Sequence, residues 1–512
     1  MTLYMNKIGP NKKNTIIKNF FQNFPWSLLL IPVFYTIQTS LIYHGDISKI
    51  ALLKQLLIWE FFLSVSILLL LQIKPLQKYI VPLFFFLAIL YFYFNRIYSL
   101  VSTSFAAPFI YSYTRFILCW LLACFIVLIY FRIKPLKLQG FVKWIHATCI
   151  IITIYFIVQG VFFLFKEKQY DLANYKPIVP LLKTNQSEKQ LPNIYFLVPD
   201  SYTSNQVLQS QFNYNNSAIH TFLQQQGFFI ADSATSNYFY SPVSIAATLN
   251  LNYLPKAAYP TDQNDLVLFS GLRLIQESNL LDYLKNKDYT IHNLSPFPIK
   301  NAISKISIHY PGSTDEDLLK LNTIESIRPF WQAKNICYKL IGQKRKTILE
   351  ENTQNKRKDM QTISDYISTL STSKTKTANF VYVHTALPHP PYVIDSTGAD
   401  LELAFRTDTS HIGYVRQLAF VNSYLKKWIT QIRKNDSLAI IILQGDHGFR
   451  SFPKEQNKKE AFKILNAIYF PNKNYASLYH SISSVNTFRV VLNTYFQQRL
   501  PLLKDSSYFP KF

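Results

Sequence analysis

Several side chains of the types that hold metal ions or attack phosphorus fall at the ends of apolar runs in this sequence. NIYFLVP (193–199) leads into Asp200, and LAIIILQ (438–444) leads into Gly445-Asp446-His447-Gly448. NFVYV (379–383) leads into His384, with His389 close behind. Two carboxylates and an imidazole suit one divalent cation such as zinc or manganese. In SNYFYSPVSIAATLNLNYL (236–254), Ser241 precedes Pro242 at the start of a small-residue helix. A hydroxyl there faces backbone N–H groups that favour a bound anion, and a metal that lowered its pKa would let it attack phosphorus. Each residue also has a purely structural account. An Asp after a strand or a Ser at a helix start is an ordinary cap, and the prolines of HTALPHPPY make a turn that needs neither His384 nor His389 for chemistry.

Elements that could bring these residues together are visible in the pattern. The runs 193–199, 379–384, 438–444 and 465–470 are nearly continuous in apolar residues, as strands buried on both faces are. Between them lie helical stretches such as 411–433, where Tyr414, Leu418, Val421 and Leu425 recur at helical spacing. Strands alternating with helices predict a mostly parallel sheet with helices on both faces, and the carboxyl ends of such strands are where ligands bind.

The rest of the chain is of another kind. Of its 512 residues 49% are hydrophobic and only 16% charged, which excludes a disordered chain and disfavours a wholly soluble one. Five stretches, near 24–43, 53–73, 79–99, 111–131 and 143–165, are long and apolar enough to cross a bilayer, with Glu60 in the second and Arg115 in the fourth. Lysines and arginines crowd the segments before the first span, after the second and between the fourth and fifth. The positive-inside rule therefore puts the N-terminus in the cytoplasm and everything after Phe165 outside. The formal charge is +24, and residues 1–150 contain Asp46 and Glu60 as their only acids. This surplus flanks apolar segments, so it points to anionic lipid and not to nucleic acid. Cys119, Cys124 and Cys149 lie in the apolar stretches and leave only Cys337 beyond them, so no internal disulfide is expected there. The predicted organisation is a five-helix membrane domain (1–165), a juxtamembrane linker (166–190) and an extracytoplasmic α/β domain (191–512).

The order of these motifs resembles the alkaline phosphatase and sulfatase superfamily: a strand ending in an acid, a hydroxyl some 40 residues later at a helix start, a His-Pro-Pro-Tyr segment and a late Asp-His-Gly. Within it, the membrane-anchored lipoteichoic acid synthases and phosphoethanolamine transferases are the most similar, and the likeness extends to the five N-terminal spans. The resemblance implies a multi-span helical membrane domain followed by a sulfatase-like α/β domain. It implies Asp200, Asp446, His447 and the Ser241 oxygen as ligands of a single metal ion, and Ser241 as nucleophile in place of the usual Thr. It also implies that His389, and with a weaker match His384, contact the substrate, with Arg489 as a candidate phosphate contact. Ser241 lacks the C/S-x-P-x-R signature of the sulfate-ester hydrolases, which weakens a sulfatase reading.

The activity so implied is transfer of a phosphoalcohol headgroup, phosphoglycerol or phosphoethanolamine in type, from a membrane phospholipid to an envelope glycan or lipid by a multi-pass protein of the cell (inner) membrane. Two other readings stay open: a phosphoesterase or sulfatase-like hydrolase using the same site, and a non-catalytic lipid-binding regulator.

Overall fold

The structure is a computed structural model describing residues 25–42, 49–89, 113–165, 179–182, 191–254, 271–276, 278–306, 344–373, 377–406, 409–452 and 455–508. These fall into two compact units, a helical one ending at residue 165 and a second that begins at residue 179.

In the first unit, long leucine, isoleucine and phenylalanine runs form helices wherever they are described. These are α1 (Leu30–Ile42), α2 (Lys49–Leu71), residues 80–89, α3 (Tyr113–Ile133) and α4 (Pro135–Phe165). Pro135 opens α4 because its fixed φ suits a first turn and its missing N–H is not needed there. Leu28, Ile31, Ile67, Phe85 and Ile145 are buried between the helices, while Phe61, Phe62, Leu69, Phe125, Ile126 and Ile151 point outward. Outward apolar side chains of this number form a surface that lipid or another protein could cover. Two helices, over Leu52–Leu71 and Lys137–Gln159, are long and apolar enough to cross a membrane. They match the second and fifth expected spans. The first, third and fourth fall on shorter apolar helices, with part of the third outside the described residues. Glu60 is half-buried, as an acid at such depth should be, and the Arg115 side chain lies outside the described residues.

The second unit carries a seven-stranded sheet. Its strands are β1 (Ile194–Asp200), β2 (Phe229–Ile230), β3 (Thr290–Leu294), β4 (Ile303–Ser304), β5 (Asn379–Pro388), β6 (Ile440–Gln444) and β7 (Asn466–Tyr469), in the order β2-β7-β6-β1-β5-β3-β4. β1 pairs in parallel with β5 on one side and β6 on the other, and β3 and β4 continue the parallel run. β7 and β2 close the far edge in antiparallel fashion. The helices are α5 (Asn205–Phe212), α6 (Ser217–Gln225), α7 (Ser241–Asn250), α8 (Asn279–Lys285), α9 (Lys344–Thr372), α10 (His411–Asn435) and α11 (Ser484–Tyr495).

The two-residue period of β1 sorts its side chains between two cores. Ile194, Phe196 and Val198 pack with Val243 of α7, Leu281 of α8 and Phe488 of α11. Tyr195 and Leu197 pack with Met360 of α9 and with Trp428 and Leu425 of α10. Burying each such side chain stabilises the fold by about 1.5–3 kcal/mol. The expected α/β domain with a mostly parallel sheet and helices on both faces is therefore present. Within the expected linker 166–190, the Leu182 N–H donates to Gln498 Oε1 at 2.8 Å and Val179 and Leu181 pack on the first of these cores. The remainder of that segment lies outside the described residues, as do 307–343.

Candidate metal centre

Because β1 sits between β5 and β6, whatever follows their carboxyl ends must converge. Asp200 ends β1, His384 stands in β5 in register with Val198, and Asp446-His447 follows β6. One ligand atom from each of Asp200, His384 and Asp446 lies within 4.8 Å of the others. His384 Nε2 is 3.7 Å from Asp446 Oδ2 and 3.9 Å from Asp200 Oδ2. His447 Nε2 approaches Asp200 Oδ1 at 3.5 Å and Asp446 Oδ2 at 3.6 Å. From the start of α7, Ser241 Oγ lies 3.2 Å from His447 Nε2. The sequence-expected ligands therefore meet. His384, expected from the resemblance to contact substrate, stands with the carboxylates.

The surroundings hold these groups in place. Asp446 Oδ1 accepts the N–H groups of Ser201 and His447, both at 2.9 Å, which leaves Oδ2 turned to the centre. Ser201 adopts φ 67°, the left-handed region, to aim its N–H there. The glycines of Gly445-Asp446-His447-Gly448 are there for clearance: a Cβ on Gly445 would come within 2.6 Å of Tyr202 O, and one on Gly448 within 2.6 Å of Lys463 O. His447 Nδ1 lies 2.7 Å from Gly448 O, so it carries the proton and Nε2 presents a lone pair. His384 Nδ1 is 2.9 Å from the Tyr382 hydroxyl two residues earlier on the same strand face. Ser241 is the first helical residue after Tyr240, which occupies the cap position. The Ser241 hydroxyl is thus aimed at the cluster and is not spent on capping.

The electrostatics fit a cation. Burial pushes the Asp200 carboxyl up, but the imidazoles of His389, His384 and His447 outweigh it and hold the group well below the usual carboxylate range. Burial and the Arg450 charge bring His447 down to about 4 against the pull of Asp446 and Asp200, so it is neutral at pH 7. Asp200 Oδ1, His384 Nε2 and Asp446 Oδ2 are buried yet accept no hydrogen bond among the described residues. Each unmet group costs about 1–3 kcal/mol, and a shared divalent ion would remove all three penalties. The residues fit such an ion by donor type as well as by these orphaned atoms.

His389 is nearby, its ring centroid 6.3 Å from that of His447. Its Nδ1 bonds Pro390 O and its Nε2 accepts from Arg450 Nη2, both at 2.7 Å. Arg450 also donates to Phe239 O at 3.1 Å and stacks against Phe239 and Tyr240. Sequence reasoning missed Arg450, although it stands three residues after His447. Arg489 does not join the cluster's bonding. It is buried in α11, its Nε donating to Leu251 O at 2.7 Å and its Nη1 to Pro501 O at 2.6 Å. That guanidinium ties α11 to neighbouring backbone.

No protein family pattern matches the chain, and no curated protein matches it. Solved structures do. The C-terminal periplasmic domain of phosphoethanolamine transferase EptC from Campylobacter jejuni is 12% identical, with TM-score 0.34, over 60% of this chain and 90% of that one. The corresponding EcEptC domain from Escherichia coli is 9% identical, with TM-score 0.36, over 62% and 86%. A protein in the alkaline phosphatase superfamily from Vibrio parahaemolyticus is 11% identical, with TM-score 0.36, over 60% and 67%. EptC periplasmic domains and a protein in the alkaline phosphatase superfamily are thus among the solved structures to which this chain is similar.

Proposed function

We propose that this protein is a metal-dependent membrane enzyme that moves a phosphoalcohol headgroup from a phospholipid to an envelope glycan or lipid, with Ser241 as nucleophile. The observation that carries the reading is the approach of the Ser241 hydroxyl to His447 Nε2 beside three buried acceptor atoms without a hydrogen-bond partner among the described residues.

Asp200, Asp446, His447 and His384 would hold one zinc or manganese ion, with Ser241 Oγ beside them. Bound there, the ion would supply the positive charge that lowers the hydroxyl's pKa and steadies charge gathering on the phosphoryl oxygens. Ser241 Oγ forms a bond to phosphorus while the bond from phosphorus to the lipid's glycerol oxygen breaks. Ser241 gives up one proton and the departing diacylglycerol gains one. The seryl phosphodiester then passes its headgroup to the acceptor hydroxyl. His389 is engaged at both ring nitrogens, Nδ1–H donating to Pro390 O and Nε2 accepting from Arg450. It holds Arg450, which no carboxylate pairs with among the described residues, toward the phosphoryl oxygens. The basic loops favour a cytoplasmic N-terminus and a catalytic unit on the outer face of the membrane, where headgroups are at high local concentration.

The test is to incubate the full chain with headgroup-labelled phosphatidylglycerol or phosphatidylethanolamine and zinc or manganese. Diacylglycerol should appear together with label on the protein, and Ser241→Ala should give neither. Diacylglycerol release by that variant at the parent rate would refute the reading.

A further inference from the structure

A second polar cavity, of about 240 Å³, opens beside the β2–β7 edge of the sheet, walled by α5, α6 and the segment entering β7. None of the residues assigned above to the metal centre lines it. Asn205 and Gln209 of α5, His220 of α6, Asp232 after β2 and Asn466 of β7 turn polar groups toward it, and Ile464 adds an apolar wall.

Four buried atoms of residues lining this cavity have no hydrogen-bond partner among the described residues: Asn205 Oδ1, His220 Nε2, and both Oδ1 and Nδ2 of Asn466. Asn466 is 1% exposed and sits inside a strand, where an unmet amide costs about 1–3 kcal/mol per group. Exchanging its oxygen and nitrogen would not help, because both atoms are unmet. A structural role would have left these groups bonded to protein. Asp200 Oδ1, His384 Nε2 and Asp446 Oδ2 are buried and unmet in the same way among the described residues.

The chemistry of the lining selects the ligand. A metal ion needs lone pairs only, and the Asn466 amide nitrogen offers none. An anion needs donors and positive charge. Here Asp232 contributes a carboxylate, and the neighbouring Lys463 ammonium is engaged by Glu460 at 3.0 Å. Burial lowers the His220 pKa, so that ring is neutral at pH 7. What remains is a surface of mixed donors and acceptors with one apolar wall, in which the Asp232 carboxylate, 3.4 Å from His480 Nδ1, is one more acceptor. Hydroxyl groups, which donate and accept at once, answer it, and the C–H face of a sugar ring answers Ile464. The cavity lies just below the range that holds drug-sized ligands, which is a size for one ring.

We propose that this cavity is a subsite for one neutral sugar residue of a glycan, separate from the metal centre and independent of any reaction at Ser241. The experiment is ligand-observed NMR and calorimetry on the full chain in a detergent without a sugar headgroup. The probes are neutral oligosaccharides of glucose, galactose, mannose and N-acetylglucosamine. One of them should bind saturably, with a dissociation constant of roughly 1 mM or tighter. Affinity should fall at least tenfold in His220→Ala and Asn466→Ala. Gln209→Ala, at an exposed rim position where folding is not at stake, should also weaken it. Ser241→Ala should bind the sugar as the parent does, so a failure of the transferase reading would leave this result standing. Absence of saturable binding by every probe, equal binding in all variants, or binding only of inorganic phosphate or calcium would each overturn the proposal in favour of a water-filled cavity or another ligand class.

Discussion

Ser241 Oγ and His447 Nε2 lie 3.2 Å apart although 206 residues separate them in the chain. The helix start and the turn after β6 are therefore built to face each other. Replacing Ser241 by Ala should reduce lipid phosphodiester turnover by roughly 10³-fold or more. It should change stability by only about 1 kcal/mol, the worth of one hydrogen bond. Turnover and a thermal melt measured on one preparation decide this, and parent-like turnover would end Ser241's candidacy.

Asp446→Asn is the sharper test of the cation. The amide oxygen can still accept from the Ser201 and His447 N–H groups, which keeps the turn, while an NH₂ replaces the oxygen that faces His384. Metal analysis should show about one zinc or manganese in the parent and almost none in the variant. Equal metal content in the two proteins would mean that the cluster is not the site.

Tyr382→Phe should act through His384. Loss of the 2.9 Å contact to Nδ1 leaves the ring free to turn. Metal affinity should fall about 10- to 100-fold, as it does when such outer partners are removed. A competition titration with a chelator reads this directly. No change would show that packing alone, including the Phe297 ring 5.0 Å away, orients His384.

Arg450 should separate binding of metal from chemistry. Arg450→Ala should retain the ion yet lose about 10²–10³-fold in turnover, the scale on which a single charged donor to a transition state acts. Arg450→Lys should recover little, since a lysine cannot reproduce the planar fork. Loss of metal in parallel with activity would instead give Arg450 a role in holding the centre.

Asp359 on α9 carries a pH dependence. Burial raises its carboxyl from 3.8 to about 6, with Lys358 opposing. A raised acid favours the fold most below pH 3.8, and that contribution is lost as pH rises through about 6. Asp359→Asn should therefore be more stable than the parent at pH 7.5 by about 1 kcal/mol, a figure discounted for partial exposure, and equal to it near pH 3.5. Denaturant melts at both pH values test this. A variant less stable at pH 7.5 would show that the carboxylate has a partner worth keeping.

Much of this arrangement could be read from the chain because its cause is periodic. Continuous apolar runs mark strands buried on both faces, and their carboxyl ends nominate Asp200, His384, Asp446 and His447. Ser241 was visible because a hydroxyl ahead of proline opens a helix. Which atoms meet across the sheet was less legible. His384 pairs with Val198, and a register shift at Pro199/Asp200 then pairs Asp200 with Pro388, an irregularity that spacing does not reveal. Arg489 sits in α11 and bonds two backbone carbonyls, an outcome set by side-chain direction that spacing does not encode. Arg450 reaches His389 across 61 residues, and no local pattern announces such a pair. Tyr382 could have been found, since residues two apart on a strand share a face.

The parallel pairing of β1 with both β5 and β6 has a kinetic consequence. Ser201 and Asp446, bonded at 2.9 Å, are 245 positions apart, so two long crossovers must close before the first contact between them can form. Sheets assembled from such remote partners are slow to form. Reactive capability should accordingly be a late acquisition on the folding pathway, and a nascent chain released before Asp446 emerges should hold no ion at all.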